Sequence, residues 1–466
     1  MTITPLTATD PMQSRTRRRT SRRVRSVLAT TTAGLMLFTG CAASSEAATS
    51  EPTATEDAAA ALTSASGIDT EQSDSETETA DVDLFDSSVV HTISVDFDQA
   101  DYDSMIDTFT STGDKEWISA TVTLDGTVYE NVGLRLKGNS SLFGLSSATS
   151  GNPEDLPWLI RLNEFVEGED HQDYEEIVIR SNSTETALNE AVAQELLSVT
   201  GLASQDPIAT AFTVNGGETE LRLAVENPDE EWYEDNFADE DGLLYKADSE
   251  GDYSYRGDDA EAYTDVFDQK VGDDDMAPLI DFLDFINNAD DATFAAELSD
   301  HLDIDAFATY LAYQDLIGNA DDINGRGNNS YLQYDTTTDQ FTVVSWDLNL
   351  AFNTPNVGGA GGAGGVGGAG GRPAGPPPGA AAGGAAGGPG DQANVLVDRF
   401  MADDDFAALY AATTEELNEL LFASGTVDEV IASWADVLIT GASDLVSEAT
   451  VTAEAAALVS FVDGQR

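Results

Sequence analysis

Regular alternation of apolar and polar positions begins near Val89, where VVHTISVDF (89–97) sets Ile93, Val95 and Phe97 on one side of a strand. ADYDSMIDTF (100–109) has helical spacing, and WISATVTLDGTVYENVGLRLKG (117–138) predicts two strands joined by a tight turn at Asp125-Gly126. LPWLIRLNEF (156–165) and YEEIVIRS (174–181) are further strands. TALNEAVAQELLSVTGL (186–202) predicts a helix ending at Gly201, and TAFTVNGGETELRLAVEN (210–227) a second hairpin. After a short strand in GLLYKAD (242–248) the period lengthens to that of helices, over 277–288, 291–300 and 304–317. A last hairpin, NSYLQYDTTTDQFTVVSWD (329–347), precedes helices that resume at 394 and run to the end. Strands gathered early and helices late predict an α+β fold.

Two stretches carry no such pattern. Residues 42–84 are Ala, Ser, Thr and acid, a composition that cannot offset its ordering entropy and predicts a disordered acidic tether. Residues 354–392 are Gly, Ala and Pro in near-repeats and predict a flexible, disordered insert beside the 329–347 hairpin.

Charge narrows the partners. The formal net charge is −66, and seven of the 20 basic residues fall in the first 25 positions. From residue 41 onward 13 Lys and Arg stand against 85 Asp and Glu. Such a surface repels phosphate backbones and anionic headgroups, which excludes a nucleic-acid role. One cysteine and three scattered histidines exclude a disulfide framework and leave little for a zinc centre. No G-x-S-x-G elbow is present for a serine hydrolase.

The cysteine has its own context. A basic start (Arg15 to Arg25), an apolar run from about Val27 to Phe38, and Thr39-Gly40-Cys41 form a secretory signal peptide over 1–40. Leu37 to Cys41 resembles a bacterial lipobox, so Cys41 is the expected lipidation site of an outward-facing membrane lipoprotein. The apolar run is too short for a permanent span, which leaves the lipid as the only membrane contact.

Three segments carry candidate chemistry. RLKGNSS (135–141) sets Arg135 and Lys137 beside a flexible turn whose backbone N–H groups suit phosphate, without being a Walker A loop. GNADDINGRGNNSYLQYD (318–335) supplies Asp321, Asp322, Asn328 and Asn329, oxygen donors of the kind that hold Mg²⁺ or Ca²⁺. It is not an EF-hand, because no Glu stands twelfth from Asp322. VVSWDLNLAF (343–352) buries a lone acid, Asp347, in an apolar segment, which costs several kcal/mol unless a cation compensates it. Asp347 follows Asp322 by 25 residues across a hairpin. Protein kinases space a catalytic Asp and a metal-binding Asp in a similar way.

VGLRLKGNSS, RSNSTETALNEAVAQELL, FTVNGGETELRLAVEN, GLLYKAD, GNADDINGRGNNSYLQYD and VVSWDLNLAF occur in the order seen in the spore coat protein H (CotH) kinase family. The resemblance covers roughly residues 89–420. It implies an atypical two-lobed kinase-like fold over 85–466, with a sheet-rich N-lobe to about 235 and a helical C-lobe from about 236. It implies transfer of phosphate from ATP, with Mg²⁺ or Mn²⁺, to Ser or Thr of a protein substrate by a monomer. Asp322 or Asp321 matches the catalytic Asp, while Asp347, Asn329 and Asn328 match the metal ligands. Arg135, Lys137, Gly138, Asn139 and Ser140 match the phosphate-side turn, and Arg161, Glu226 and Lys246 complete the implied nucleotide site.

Two positions depart from the family pattern. Asn349 replaces the second acid of W-D-x-D, and Leu156 stands where a basic residue often precedes the strand. Arg161 is then the nearest cation, expected to pair with Glu190 or Glu195 of the next helix. These departures, and the low ATP expected outside the membrane, favour an alternative: a weak or inactive pseudokinase serving as a surface scaffold. A Ca²⁺-binding surface protein rests on acidity alone.

Overall fold

The computed structural model describes residues 82–138, 140–142, 145, 152–248, 252–319, 321–324, 329–354 and 394–466. The signal peptide, Cys41, the tether up to residue 81, Asn139, Asn328, the side chain of Ser140 and residues 355–392 of the insert lie outside the described residues.

The early strands close into a barrel. In chain order they are β1 (Val90–Phe97), then helix α1 (Gln99–Thr112), β2 (Ile118–Leu124), β3 (Thr127–Leu136), β4 (Trp158–Arg161) and β5 (Glu176–Ile179). Helix α2 (Leu188–Val199), β6 (Pro207–Val214) and β7 (Thr219–Glu226) follow. Their order around the barrel is β1-β2-β3-β4-β5-β7-β6, and β6 returns parallel to β1. The β2–β3 turn falls at Asp125-Gly126, both at positive φ, as a two-residue turn of this kind requires.

Period-two alternation sorts the side chains. Leu134, Leu136, Trp158, Ile160, Ile177, Ile179 and Ala224 fill the barrel interior. Leu159, Val178, Leu223 and Val225 point outward and pack against α2. Strands β4 and β5 are buried on both faces, which is why WLI and IVI are unbroken apolar runs.

After α3 (Glu230–Asn236) comes a second, four-stranded antiparallel sheet. It is built from β8 (Leu243–Ala247), β9 (Phe267–Val271), β10 (Ser330–Asp335) and β11 (Gln340–Ser345) in the order β11-β10-β8-β9. Between β9 and β10 run α4 (Ala277–Asn288), α5 (Asp291–His301) and α6 (Ile304–Leu316). The chain ends with α7 (Val395–Ala402), α8 (Asp404–Leu417), α9 (Thr426–Gly441) and α10 (Glu448–Asp463). One face of this sheet, with Tyr245, Leu332, Phe341 and Val343, packs on α4–α8. The other, with Leu244, Tyr331 and Val344, shares a core with the barrel's outer face, α2, α9 and α10. The architecture is α+β, a barrel followed by a helical half. Among the described residues no helix is long and apolar enough to cross a membrane.

Candidate active site

The outward face of the barrel and the inward face of the second sheet gather a large share of the basic residues that follow position 40. Because Leu134 and Leu136 point into the barrel, Arg135 and Lys137 must point out. The same alternation turns Arg161 outward beyond Leu159, and Glu176 and Arg180 to either side of Val178. From the second sheet Lys246 sits opposite Tyr331. With Lys115 and Lys270, whose charges act on Lys246, seven of the 13 basic residues after position 40 converge on this cleft.

Trp346 is the hub. The Lys137 ammonium lies 5.2 Å from its ring centroid, Lys246 5.5 Å and the Arg180 guanidinium 5.5 Å. These are cation–π distances, and each contact is modestly favourable. Lys246 also lies 5.8 Å from the Tyr331 ring. Burial, then the Lys270 and Lys115 charges, push the Lys246 pKa down to about 8. Burial and the Lys246 ammonium depress Lys137 well below the ordinary lysine range. Lys137 donates to the Asn227 side-chain oxygen, and the Asn227 amide donates to buried Glu176. Arg135 lies 4.5 Å from the Trp117 ring centroid, and its Nε is buried without an acceptor. Among the described residues Arg135, Lys137 and Lys246 make no ion pair. In a chain so rich in carboxylates, cations kept free of them form a seat for an anion.

Arg180 joins the barrel to the metal-type loop. Its Nε donates to Glu190 of α2 at 2.7 Å, and its Nη2 donates to Asp347. Burial opposes the guanidinium charge, but Asp347 and Glu190 outweigh it and raise its pKa above the usual arginine value. Glu190 shares that cation with Asp347. Burial is the larger effect on it, so despite Arg180 its pKa is pushed up to about 7. Asp347 itself takes φ = 61°, a left-handed backbone uncommon for a non-glycine residue, and such strain often accompanies functional loops.

The two adjacent acids of the upstream loop diverge. Asp322 turns inward, 6% exposed, and accepts from the Asn324 backbone N–H at 2.9 Å and its side-chain amide at 3.1 Å. Burial pushes its pKa up to about 6. Asp321 is exposed, and desolvation together with the charge of Asp347 raises its pKa. The charge of Asp347 thus acts on Asp321, whereas the acid acting on Asp322 is Asp315. The Asn329 amide donates to the Asp321 carbonyl at 2.9 Å, and a hydrogen bond from Asn329 to the Asp321 carboxylate works against the rise in the Asp321 pKa.

Several expected roles change. Arg161 does not reach Glu190 or Glu195; it pairs with Glu176, its cross-strand partner, and with Glu164 at 3.2 Å. Arg180 holds the Glu190 partnership instead. It was legible as the polar end of EIVIR, one alternation beyond Val178. Glu226 ends β7 and accepts the Asp206 N–H at 2.8 Å, a structural bond. Leu156 is a core residue, 1% exposed, whose carbonyl accepts from Arg222. Gly138 takes φ = 97°, and its carbonyl accepts from Lys115. Asn349 offers its backbone carbonyl to the Asn189 amide at 2.6 Å. Trp346, Lys115 and Lys270 were not anticipated, because their convergence depends on how two sheets face each other.

A hard divalent cation fits the donor set. Among the described residues no three acidic, His or Cys side chains converge to hold an ion alone. Mg²⁺ needs fewer, since it is commonly held by one or two carboxylates plus substrate phosphates. Asp347 and the Asn329 side chain, with phosphate oxygens, would supply that number, and Asp347 is already compensated by a cation, the Arg180 guanidinium.

The barrel's outer face, with its cations, meets a second sheet flanked by the Asp321 and Asp347 loops. The CotH kinase protein family model matches residues 134–450, and the chain belongs to that family. Membership implies a kinase-like function that uses ATP. A Helicobacter pylori proinflammatory kinase, CtkA, is similar at 9% identity, over 62% of this chain and 86% of that one, with a TM-score of 0.28. Curated protein sequences yielded no match.

Proposed function

We propose that the chain transfers the terminal phosphate of ATP to a Ser or Thr hydroxyl of a protein substrate. The observation that carries this reading is the set of carboxylate-free cations, Arg135, Lys137 and Lys246, on two facing sheets beside Asp347 and Asp321. The cations bind the polyphosphate and neutralise charge as it shifts toward the leaving group, the dominant contribution in phosphoryl transfer. Asp347 and Asn329 are the residues that would hold Mg²⁺ or Mn²⁺, which when bound would supply charge neutralisation. Asp321 accepts and orients the substrate hydroxyl; its raised pKa makes it a better base than an ordinary aspartate. Arg180, held by Glu190, passes from Asp347 to phosphate when the site fills. The chain works outside the cytoplasm, held to the membrane by lipid on Cys41; Cys41→Ser should then appear in the soluble fraction.

A second reading, a scaffold without turnover, is favoured by Arg180 on Asp347 and by Asn349. Incubation with γ-labelled ATP, Mg²⁺ and a Ser/Thr-rich protein separates the two. The phosphotransferase reading expects label on hydroxyl residues that disappears in Asp321→Asn; bound but untransferred ATP in the parent would support the scaffold.

A further inference from the structure

The C-terminal helix α10 touches the site's framework through two residues, both past the end of the family match at 450. Glu454 is the first. Its Oε1 accepts the Glu185 N–H at 3.0 Å, and its Oε2 accepts the Thr186 N–H at 3.3 Å and the Thr186 hydroxyl. These residues lead into α2, whose first turn has no side-chain cap on the residue before it, Ala187, which takes φ = 52°. The Thr186 oxygen accepts the Leu188 N–H at 3.1 Å, so the missing cap is supplied by Thr186 and backed by Glu454. A carboxylate here also faces the positive end of the α2 dipole.

Phe461 is the second contact. It packs edge-on against Phe352 at 5.5 Å, in the loop that begins with Asp347. It also closes over Gly318, at the start of the Asp321 loop, where an added Cβ would meet the Phe461 ring at 2.8 Å. Phe352 in turn donates its N–H to Ile317 at 2.5 Å and takes φ = 60°.

One helix thus grips both sides of the Arg180 junction. Glu190 is the third residue of α2, and the neighbouring Asn189 bonds the Asn349 carbonyl in the Asp347 loop. We propose that Glu454 is a positioning residue: through Thr186 it fixes the start of α2, and so the register of Glu190 and Arg180 against Asp347. Phe461 fixes the Asp347 loop from the other side. This rests on the nucleotide site proposed above.

The test uses the full chain and its Glu454→Ala, Glu454→Gln and Glu454→Asp variants. Mg-ATP affinity is measured by calorimetry, amide exchange over residues 186–191 by mass spectrometry, and melting temperature alongside. Glu454→Ala is expected to weaken Mg-ATP roughly tenfold and to speed exchange at 186–191, with the melting temperature nearly unchanged. Glu454→Gln keeps an acceptor oxygen and the fold and should lose part of that affinity; Glu454→Asp should recover part of what Glu454→Ala loses. A parent that binds Mg-ATP while Glu454→Ala and Glu454→Gln bind it equally well overturns the positioning role and leaves the nucleotide site standing. A parent that binds none overturns the site, and the positioning role with it.

Discussion

Arg180→Met removes one guanidinium from between two carboxylates and leaves Glu190, whose side chain is 2% exposed, without its cation. Breaking a buried ion pair from one side costs about 3–5 kcal/mol. Glu190 has an escape: its pKa already stands at about 7, and without Arg180 it rises further, so the carboxyl takes a proton. Below the parent's Glu190 pKa both proteins hold that proton and the loss should sit near the low end of the range. Above it the variant's folded state keeps a proton that the parent's has released, while the unfolded chains are alike. The penalty should therefore grow by about 1.4 kcal/mol per pH unit until the variant's carboxyl ionises. Urea unfolding followed by tryptophan fluorescence, from about pH 6 to about pH 8.5, reads this directly. Arg180→Met/Glu190→Gln should lose the pH dependence and regain part of the stability. A loss that is the same at every pH, or none, would refute the claim that Arg180 compensates Glu190.

Further outcomes follow from the loop acids, Lys246 and the parent's own titration. Glu190 has a folded pKa raised from 4.5, so its contribution to parent stability is complete below that value and lost as pH rises through about 7; Glu190→Gln should flatten that decline in urea titrations. Asp322→Asn removes an acid whose pKa is pushed from 3.8 to about 6, so it should stabilise the fold at pH 8 by about 1–2 kcal/mol and keep turnover. Asp321→Asn should lose turnover by roughly 10²–10⁴-fold while still binding ATP; the reverse pattern in initial-rate assays would exchange their roles. Lys246 carries its charge below about 8, so Mg-ATP affinity should fall above that pH, by up to about tenfold per unit. Lys246→Met should bind more weakly and lose this slope in calorimetry, and an unchanged slope would place the titrating group elsewhere.

The elements were legible where period and turn chemistry agree. Asp125-Gly126 gave the β2–β3 turn, and LPWLIRLNEF and YEEIVIRS gave strands, whose burial on both faces emerged only with the structure. Closure was not legible, because it depends on β1 pairing in parallel with β6, from Val90 with Ala209 onward, and no local signal records that contact. The site shows the same division. Arg135 and Lys137 were readable as a cationic pair in a poor background, and Asp347 as an acid in need of a cation. The cation for Glu190 was misread: Arg161 is spent on its cross-strand neighbour Glu176, and Arg180 holds Glu190 and reaches Asp347 across 167 residues of chain. Trp346 reads from sequence as core; only the approach of the barrel face to the second sheet rings it with Lys137, Lys246 and Arg180.

The central claim is that Asp347 and the cations around Trp346 form a site for ATP with a divalent ion. Calorimetric titration of the full chain with ATP, with and without Mg²⁺, in the parent and in Asp347→Asn, tests it most directly. The account predicts binding in the parent that depends on Mg²⁺ and is lost in Asp347→Asn. Absence of binding in the parent at millimolar Mg-ATP, or equal Mg²⁺-dependent binding in both proteins, would contradict it.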